Sequence, residues 1–194
     1  MTWSAAFLFR SILFGVGLAM DAFSVSMANG LNEPHMSRRK TCLIAGVFCA
    51  FQILMPLTGW LGVHTVATAF SALQRFIPWA ALAALGWIGG KMLWEGLRRR
   101  NDETAPAVGM RALLIQGIAT SIDALSVGFT IADYGFVTAL VESLIIGAVT
   151  FFLCLIGLSI GKRFGTVLAG RASVLGGLIL ILIGLEIFLK NLLG

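Results

Sequence analysis

The sequence predicts an all-α membrane protein: six transmembrane helices in two inverted-topology repeats of three, with the N-terminus and the C-terminus outside. Three observations lead there. Only 12% of the 194 residues are charged and 58% are apolar, giving a mean hydropathy of +0.94. A soluble domain is about 25% charged, so an apolar excess of this size makes lipid the solvent for much of the surface. The apolar residues fall into six stretches separated by short basic runs. Finally, the first and fourth stretches carry the same internal motif. A soluble enzyme, a nucleic-acid-binding module and a disordered regulator are excluded. The net charge of +5 belongs to basic runs between apolar segments, the pattern of cytoplasmic membrane loops rather than of a nucleic-acid patch.

A span needs about 20 mostly apolar residues. The first runs from Phe7 to Gly30, the second from Cys42 to Val63, the third from Ile77 to Leu97. The fourth runs from Ala112 to Ala132, the fifth from Thr138 to Gly161, the sixth from Ala172 to Leu192. The chain is thus a single membrane domain over 1–194, with a first repeat at 1–97, a loop at 98–111 and a second repeat at 112–194. Arg10 followed by the apolar run Ser11–Met20 resembles a signal peptide. The run continues past Asp21 to Gly30, however, and has an internal copy, so it reads as a span. Many of the 23 glycines lie inside spans, where small residues allow helices to approach closely. Gly86/Gly90 and Gly157/Gly161 have the four-residue spacing, a weak signal in glycine-rich helices. Cys42, Cys49 and Cys154 lack metal spacing and read as small buried hydrophobes.

Loop charges set the orientation. Arg38, Arg39 and Lys40 follow span one, Arg98, Arg99, Arg100 and Arg111 follow span three, and Lys162, Arg163 and Arg171 follow span five. Those ten of the 14 basic residues share one side, and the positive-inside rule makes that side cytoplasmic. Arg10, Arg75 and Lys190 fall opposite, and Lys91 lies inside span three.

The repeat is read from Asp21-Ala-Phe-Ser-Val25 and Asp123-Ala-Leu-Ser-Val127. At nearly the same offset Gly46 matches Gly147 and Phe51 matches Phe152. Ile88-Gly89 with Lys91 and Glu95 matches Ile183-Gly184 with Glu186 and Lys190, charges exchanged. Three spans per half make the second half enter the membrane from the other side, the architecture of many secondary transporters.

An Asp at mid-span costs about 2.5–3.5 kcal/mol to insert and normally marks an ion or proton path. Asp21 and Asp123 are therefore the primary metal-ligand candidates. The blander reading is a carboxylate that only cross-links helices. Ser24 follows Asp21 by three, and Thr120 and Ser126 flank Asp123 by three, so each hydroxyl shares a face with its Asp. These are the secondary ligand candidates; the alternative is hydroxyls bonding their own helix backbone. Gln52 is the only amide in span two, and Pro56 frees the backbone carbonyl four residues before it, so Gln52 is a third metal-ligand candidate or else an interhelical hydrogen bond. Asn29 reads as a C-terminal cap. Lys91/Glu95 and Glu186/Lys190 read as local pairs. Glu142 reads as an interfacial residue rather than part of an exit path, and His35 and His64 sit at loop edges. Oxygen-only ligands suit the hard cations Mg²⁺, Ca²⁺ and Mn²⁺, and disfavour zinc. Phosphate-binding loops and paired nucleophile and base are missing from the sequence, so it reads as no enzyme and requires no cofactor.

The motifs Met20-Asp-Ala-Phe-Ser-Val-Ser26 and Ser121-Ile-Asp-Ala-Leu-Ser-Val-Gly128, with Phe51-Gln52, Met55-Pro-Leu57, Gly59-Trp60, Gly90-Lys-Met92 and Glu95-Gly96, resemble the MntP family of bacterial manganese exporters. The resemblance covers essentially the whole chain. It implies export of Mn²⁺ across the inner membrane, with Asp21 and Asp123 essential and Gln52 significant. Two departures, Asn29 and Glu186 where many relatives carry Lys, touch peripheral positions. The implied partners are Mn²⁺ and the lipid bilayer, with a homo-oligomer left open and no nucleic acid. The rivals are a channel or proton-coupled exporter of another small cation, and a non-transporting membrane subunit. The topology reading is testable. In a background lacking Cys42, Cys49 and Cys154, Asn101→Cys should resist an impermeant external thiol reagent and react once the membrane is opened; labelling of intact cells would reverse the orientation.

Overall fold

The structure, a computed structural model, describes residues 5–65, 77–98, 108–131, 134–168 and 172–193. Every regular element among them is a helix: α1 (Ala5–Asn32), α2 (Arg38–Thr65), α3 (Ile77–Arg98), α4 (Met110–Thr120), α5 (Ile122–Thr130), α6 (Phe136–Leu168) and α7 (Ala172–Leu193). Segments Phe7–Asn32, Arg38–Gly62 and Phe136–Gly165 are each long and apolar enough to cross a membrane. α4 and α5 together would make a fourth crossing, bent by 43°. The exterior is apolar: Trp87 is 78% exposed and Phe9 67%, a surface that suits acyl chains and not water.

The fourth span read from the sequence is broken into two helices. The break falls at Ser121, two residues before Asp123. The Thr120 hydroxyl donates to the Gln116 carbonyl at 2.9 Å and the Ser121 hydroxyl to the Gly117 carbonyl at 2.7 Å. Side chains that back-bond to the previous turn bend helices. The Ser121 N–H turns to the Ile118 carbonyl at 3.2 Å, a tightened last turn.

Packing is non-local. α1 lies most extensively along α6 and barely touches α2, its chain neighbour. The two run parallel, since Gly15 meets Ile146 and Val149, Gly157 meets Phe23, and Gly165 meets Leu31. α2 and the α4–α5 pair are also parallel: Gly117 sits on the Phe51 ring, and Gly128 on Pro56 and Gly59. α2 crosses α6 antiparallel, with Gly147 against Cys49 and Ile53 and Lys162 against Thr41. α3 and α7 are antiparallel, with Gly89 on Gly177 and Trp79 edge-on to Phe188 at 4.6 Å between ring centroids. α1 also touches α7, and α3 touches α4.

The helices approach to backbone contact where glycine faces glycine. A Cβ on Gly161 would strike the Met27 carbonyl and Gly30, and one on Gly59 would strike the Leu125 carbonyl and Gly128. Of the spaced pairs singled out above, Gly157/Gly161 forms such an interface. Gly86 and Gly90 do not, because among the described residues an added Cβ at either meets nothing within 4 Å. The cysteines also divide: Cys154 is buried and Cys49 half-buried, but Cys42 is exposed, against the expectation that all three pack inside. Gly161→Leu and Gly59→Leu should each cost about 3 kcal/mol, because the obstructing atoms are backbone and cannot rotate away. Gly86→Ala and Gly90→Ala should stay within about 1 kcal/mol of the parent. Thermal unfolding in detergent would decide; equal losses for the two groups would remove the backbone-contact account.

Candidate cation site

The predicted ligands come from three helices. Asp21 lies in the middle of α1 and is half-buried; Ala22 and Val25 beside it are fully buried. Gln52, on α2, is 1% exposed. Its Nε2 donates to the Leu18 carbonyl at 2.9 Å. Leu18 precedes Asp21 by three, so the two lie on one side of α1, and this bond brings Gln52 to the Asp21 level. The Gln52 Oε1 is buried and accepts no hydrogen bond among the described residues. A buried amide oxygen in that condition calls for a water or an ion. Pro56, inside α2, has no N–H for the Gln52 carbonyl, which leaves a second oxygen without its helical donor.

Asp123 occupies the first turn of α5, just after the bend. It is exposed, and its Oδ1 accepts the Ala124 N–H at 2.8 Å. The positive end of a helix favours an anion there. Phe51 under Gly117 puts the Gln52 level of α2 alongside the approach to the bend. Gln52 thus stands on the helix that packs both on the Asp123-bearing pair and, through its amide, on α1.

The secondary candidates fare unequally. The buried Thr120 hydroxyl is spent on its own helix at Gln116. Ser24 is half-buried and Ser126 exposed. The Thr130 hydroxyl, on the Asp123 stripe, donates to the Ser126 carbonyl at 3.3 Å. Among the described residues no group of three His, Cys, Asp or Glu side chains gathers as a metal cluster. The side chains of Glu95, Glu186, Lys190 and His64 lie outside the described residues.

Two sequence expectations are corrected. Asn29 is not a cap: it lies inside α1, fully buried, and pairs with the fully buried Gln116 of α4. Asn29 Nδ2 donates to Gln116 Oε1 at 2.8 Å, and Gln116 Nε2 returns a bond to Asn29 Oδ1 at 3.2 Å. Glu142 is not interfacial: it is 0% exposed, with the Arg10 guanidinium 4.0 Å from its Oε1. The one signal for the amide pair was two amides inside apolar spans, and nothing local joined them.

The family model described as "Mntp: Putative manganese efflux pump" matches residues 35–188. The chain belongs to the MntP family. Among MntP relatives, "Putative manganese efflux pump MntP" of Methanothermobacter thermautotrophicus (strain ATCC 29096 / DSM 1053 / JCM 10044 / NBRC 100330 / Delta H) is 43% identical, over 95% of this chain and 97% of that protein. The protein of the same name from Sorangium cellulosum (strain So ce56) is 40% identical over 93% and 95%. That from Clostridium perfringens (strain SM101 / Type A) is 38% identical over 93% of each. No solved structure matches this chain. An efflux pump is a transporter, so MntP membership places the chain outside the enzymes.

The amide pair yields a prediction. Interhelical hydrogen bonds in membranes are worth about 0.6 kcal/mol on average and up to about 1.7. In a double-mutant cycle, Asn29→Ala and Gln116→Ala should each destabilise, and their coupling should fall in that range when unfolding is followed in detergent. Strictly additive losses would mean that the two amides do not bind each other.

Proposed function

We propose that this chain is a secondary transporter that exports Mn²⁺ from the cytoplasm across the bacterial inner membrane, through a midplane site built on Asp21 and Asp123 with Gln52. The observation that carries the proposal is the position of the two carboxylates. They open the same Asp-Ala-x-Ser-Val motif on helices that take equivalent places in the packing. α1 lies parallel along α6, and α4–α5 parallel along α2. α1 touches α7, and α4 touches α3. A two-fold axis in the membrane plane would exchange these contacts, as it would two inverted halves of three spans. The directions suit six alternating crossings with both termini on one side, and the basic loops would make that side the outer one. α3 and α7 have 22 residues each, about 33 Å at 1.5 Å per residue, enough for a hydrocarbon core of about 30 Å.

The ligand chemistry fits the cargo named for the relatives. Two carboxylates and the Gln52 oxygen are hard donors, which suit Mn²⁺ and disfavour Zn²⁺. The helix is interrupted just before Asp123, and transporters build ion sites at such interruptions. The sequence carries no phosphate-binding loop, so the energy would come from a gradient or a partner.

The test uses cells lacking the protein. They should become manganese-sensitive and accumulate manganese, with little change toward zinc. Wild-type protein should reverse this. Asp21→Asn and Asp123→Asn, at matched membrane abundance, should leave less than about a tenth of export, since Asn keeps the size and loses the charge. Ser24→Ala or Ser126→Ala should cost less. An Asn variant exporting like the wild type would make that carboxylate structural. Sensitisation to zinc with manganese content unchanged would move the cargo to another cation.

A further inference from the structure

Glu142 is buried without satisfaction. It is 0% exposed, and neither carboxylate oxygen accepts a hydrogen bond among the described residues. An ionised carboxylate in that state is costly unless a cation is close. The cation present is Arg10 of α1, with Nη2 4.0 Å from Glu142 Oε1. That is within Coulomb range and beyond hydrogen-bonding distance. The guanidinium spends its hydrogen bond elsewhere, on the Tyr134 hydroxyl. It also sits 5.8 Å from the Phe14 ring centroid and 5.6 Å from that of Tyr134. Tyr134 is itself held, since its carbonyl accepts the Trp60 indole N–H of α2 at 2.9 Å. The Arg10 side chain is 49% exposed, so it can retreat where Glu142 cannot.

The location gives this pair a role. Ala139 and Ile146 flank Glu142 by three and four residues on α6, and both pack into an apolar cluster with Val127, Ile131, Phe14, Leu18, Leu57, Trp60 and Tyr134. Leu18 is one turn from Asp21, and Val127 one turn beyond Asp123. The cluster therefore plugs the route from the midplane to the bundle end that holds the α1 N-terminus, the outer end in the proposed orientation. Glu142 lies within the plug, with Arg10 at its rim.

We infer that Glu142 is an exit site for the transported divalent cation, and that Arg10 is a built-in competitor which occupies it electrostatically when the outer end is closed. The inference rests on the export reading above. When the outer end opens, the half-exposed Arg10 side chain swings off α6. The carboxylate then presents two unbonded oxygens, the donor type a hard cation takes. On closure the returning guanidinium repels the bound ion and drives it out, which also discourages re-entry from outside. No covalent or redox step is involved, and Glu142 exchanges one positive partner for another.

The test uses inside-out membrane vesicles, with Mn²⁺ added at the cytoplasmic face and its arrival in the lumen followed by a Mn²⁺-sensitive dye. Glu142→Gln removes the charge and nearly keeps the shape. It should lower the maximal rate about tenfold while the half-saturating cytoplasmic Mn²⁺ stays within about twofold, the split expected when a late step is slowed and loading is not. Glu142→Asp should restore part of the rate, which a purely structural role would not require. Arg10→Gln should make transport sensitive to Mn²⁺ preloaded in the lumen, at a concentration at least about tenfold below that which inhibits wild type. Arg10→Gln with Glu142→Gln should lose that sensitivity. Wild-type rate in Glu142→Gln, or unchanged luminal inhibition in Arg10→Gln, would overturn the inference and leave the export reading standing. Wild-type vesicles that take up no Mn²⁺, matching Asp21→Asn vesicles, would overturn both.

Discussion

Backbone-to-backbone contact at glycine is the constraint on which the rest depends. In lipid, apolar side chains gain nothing by turning inward, so helices associate through close packing and interhelical hydrogen bonds. Gly30 against Gly161 and Gly59 against Gly128 set two such approaches, α1 on α6 and α2 on α5. The polar groups described above are positioned around these two crossings. The α1–α6 crossing brings Arg10 to Glu142. The α2 crossing brings Gln52 to the carbonyl of Leu18 and the Phe51 ring under Gly117. A side chain at either crossing would move whole helices, because the obstructing atoms belong to main chain.

Polar groups inside this packing divide by how well they are satisfied. Asn29 and Gln116 exchange two hydrogen bonds and so cross-link α1 to α4 with no orphan atom on the paired oxygens. At the end with the basic loops, Lys40 pairs with Glu33 at 2.6 Å, and Lys162 donates to the Met36 carbonyl and the Thr41 hydroxyl. Those contacts are finished structure. Gln52 Oε1 and the Glu142 carboxylate are unfinished by comparison, as they are buried and lack donors. Buried groups of that kind are destabilising unless something else completes them. In a membrane protein they read first as places for an ion or water. In the export route proposed above, Gln52 lies at the level of the two carboxylates and Glu142 outward of it.

The bend at Ser121 makes the surroundings of the two Asp motifs unlike. The motif around Asp21 sits in an unbroken helix, α1, while its copy begins a new helix at Ile122. Thr120 and Ser121 are the local cause, since their hydroxyls return to the preceding turn. The equivalent positions before Asp21 are Leu18, Ala19 and Met20, with no hydroxyl to do the same. Asp123 therefore gains a helix N-terminus that Asp21 does not have, and a cation between the halves would meet unlike partners from each.

Sequence alone determined the helical class, the places of the helices and the two Asp motifs. Hydropathy acts residue by residue and needs no knowledge of neighbours, so the spans read at Phe7–Gly30 and Cys42–Val63 fall inside α1 (Ala5–Asn32) and α2 (Arg38–Thr65). The motif around Asp21 and Asp123 was legible for the same reason, because a charge inside an apolar run is costly wherever the run packs. Tertiary structure alone decided which polar residues meet. Asn29 looked like a helix end because its partner, Gln116, lies far along the chain. Glu142 looked interfacial because Arg10 belongs to another helix. Gly86 and Gly90 had the spacing for close packing but face open space among the described residues, whereas Gly59 and Gly128, without a spaced partner, form a crossing. Spacing says which residues share a face of one helix. What that face touches depends on distant segments, and only the packed chain supplies them.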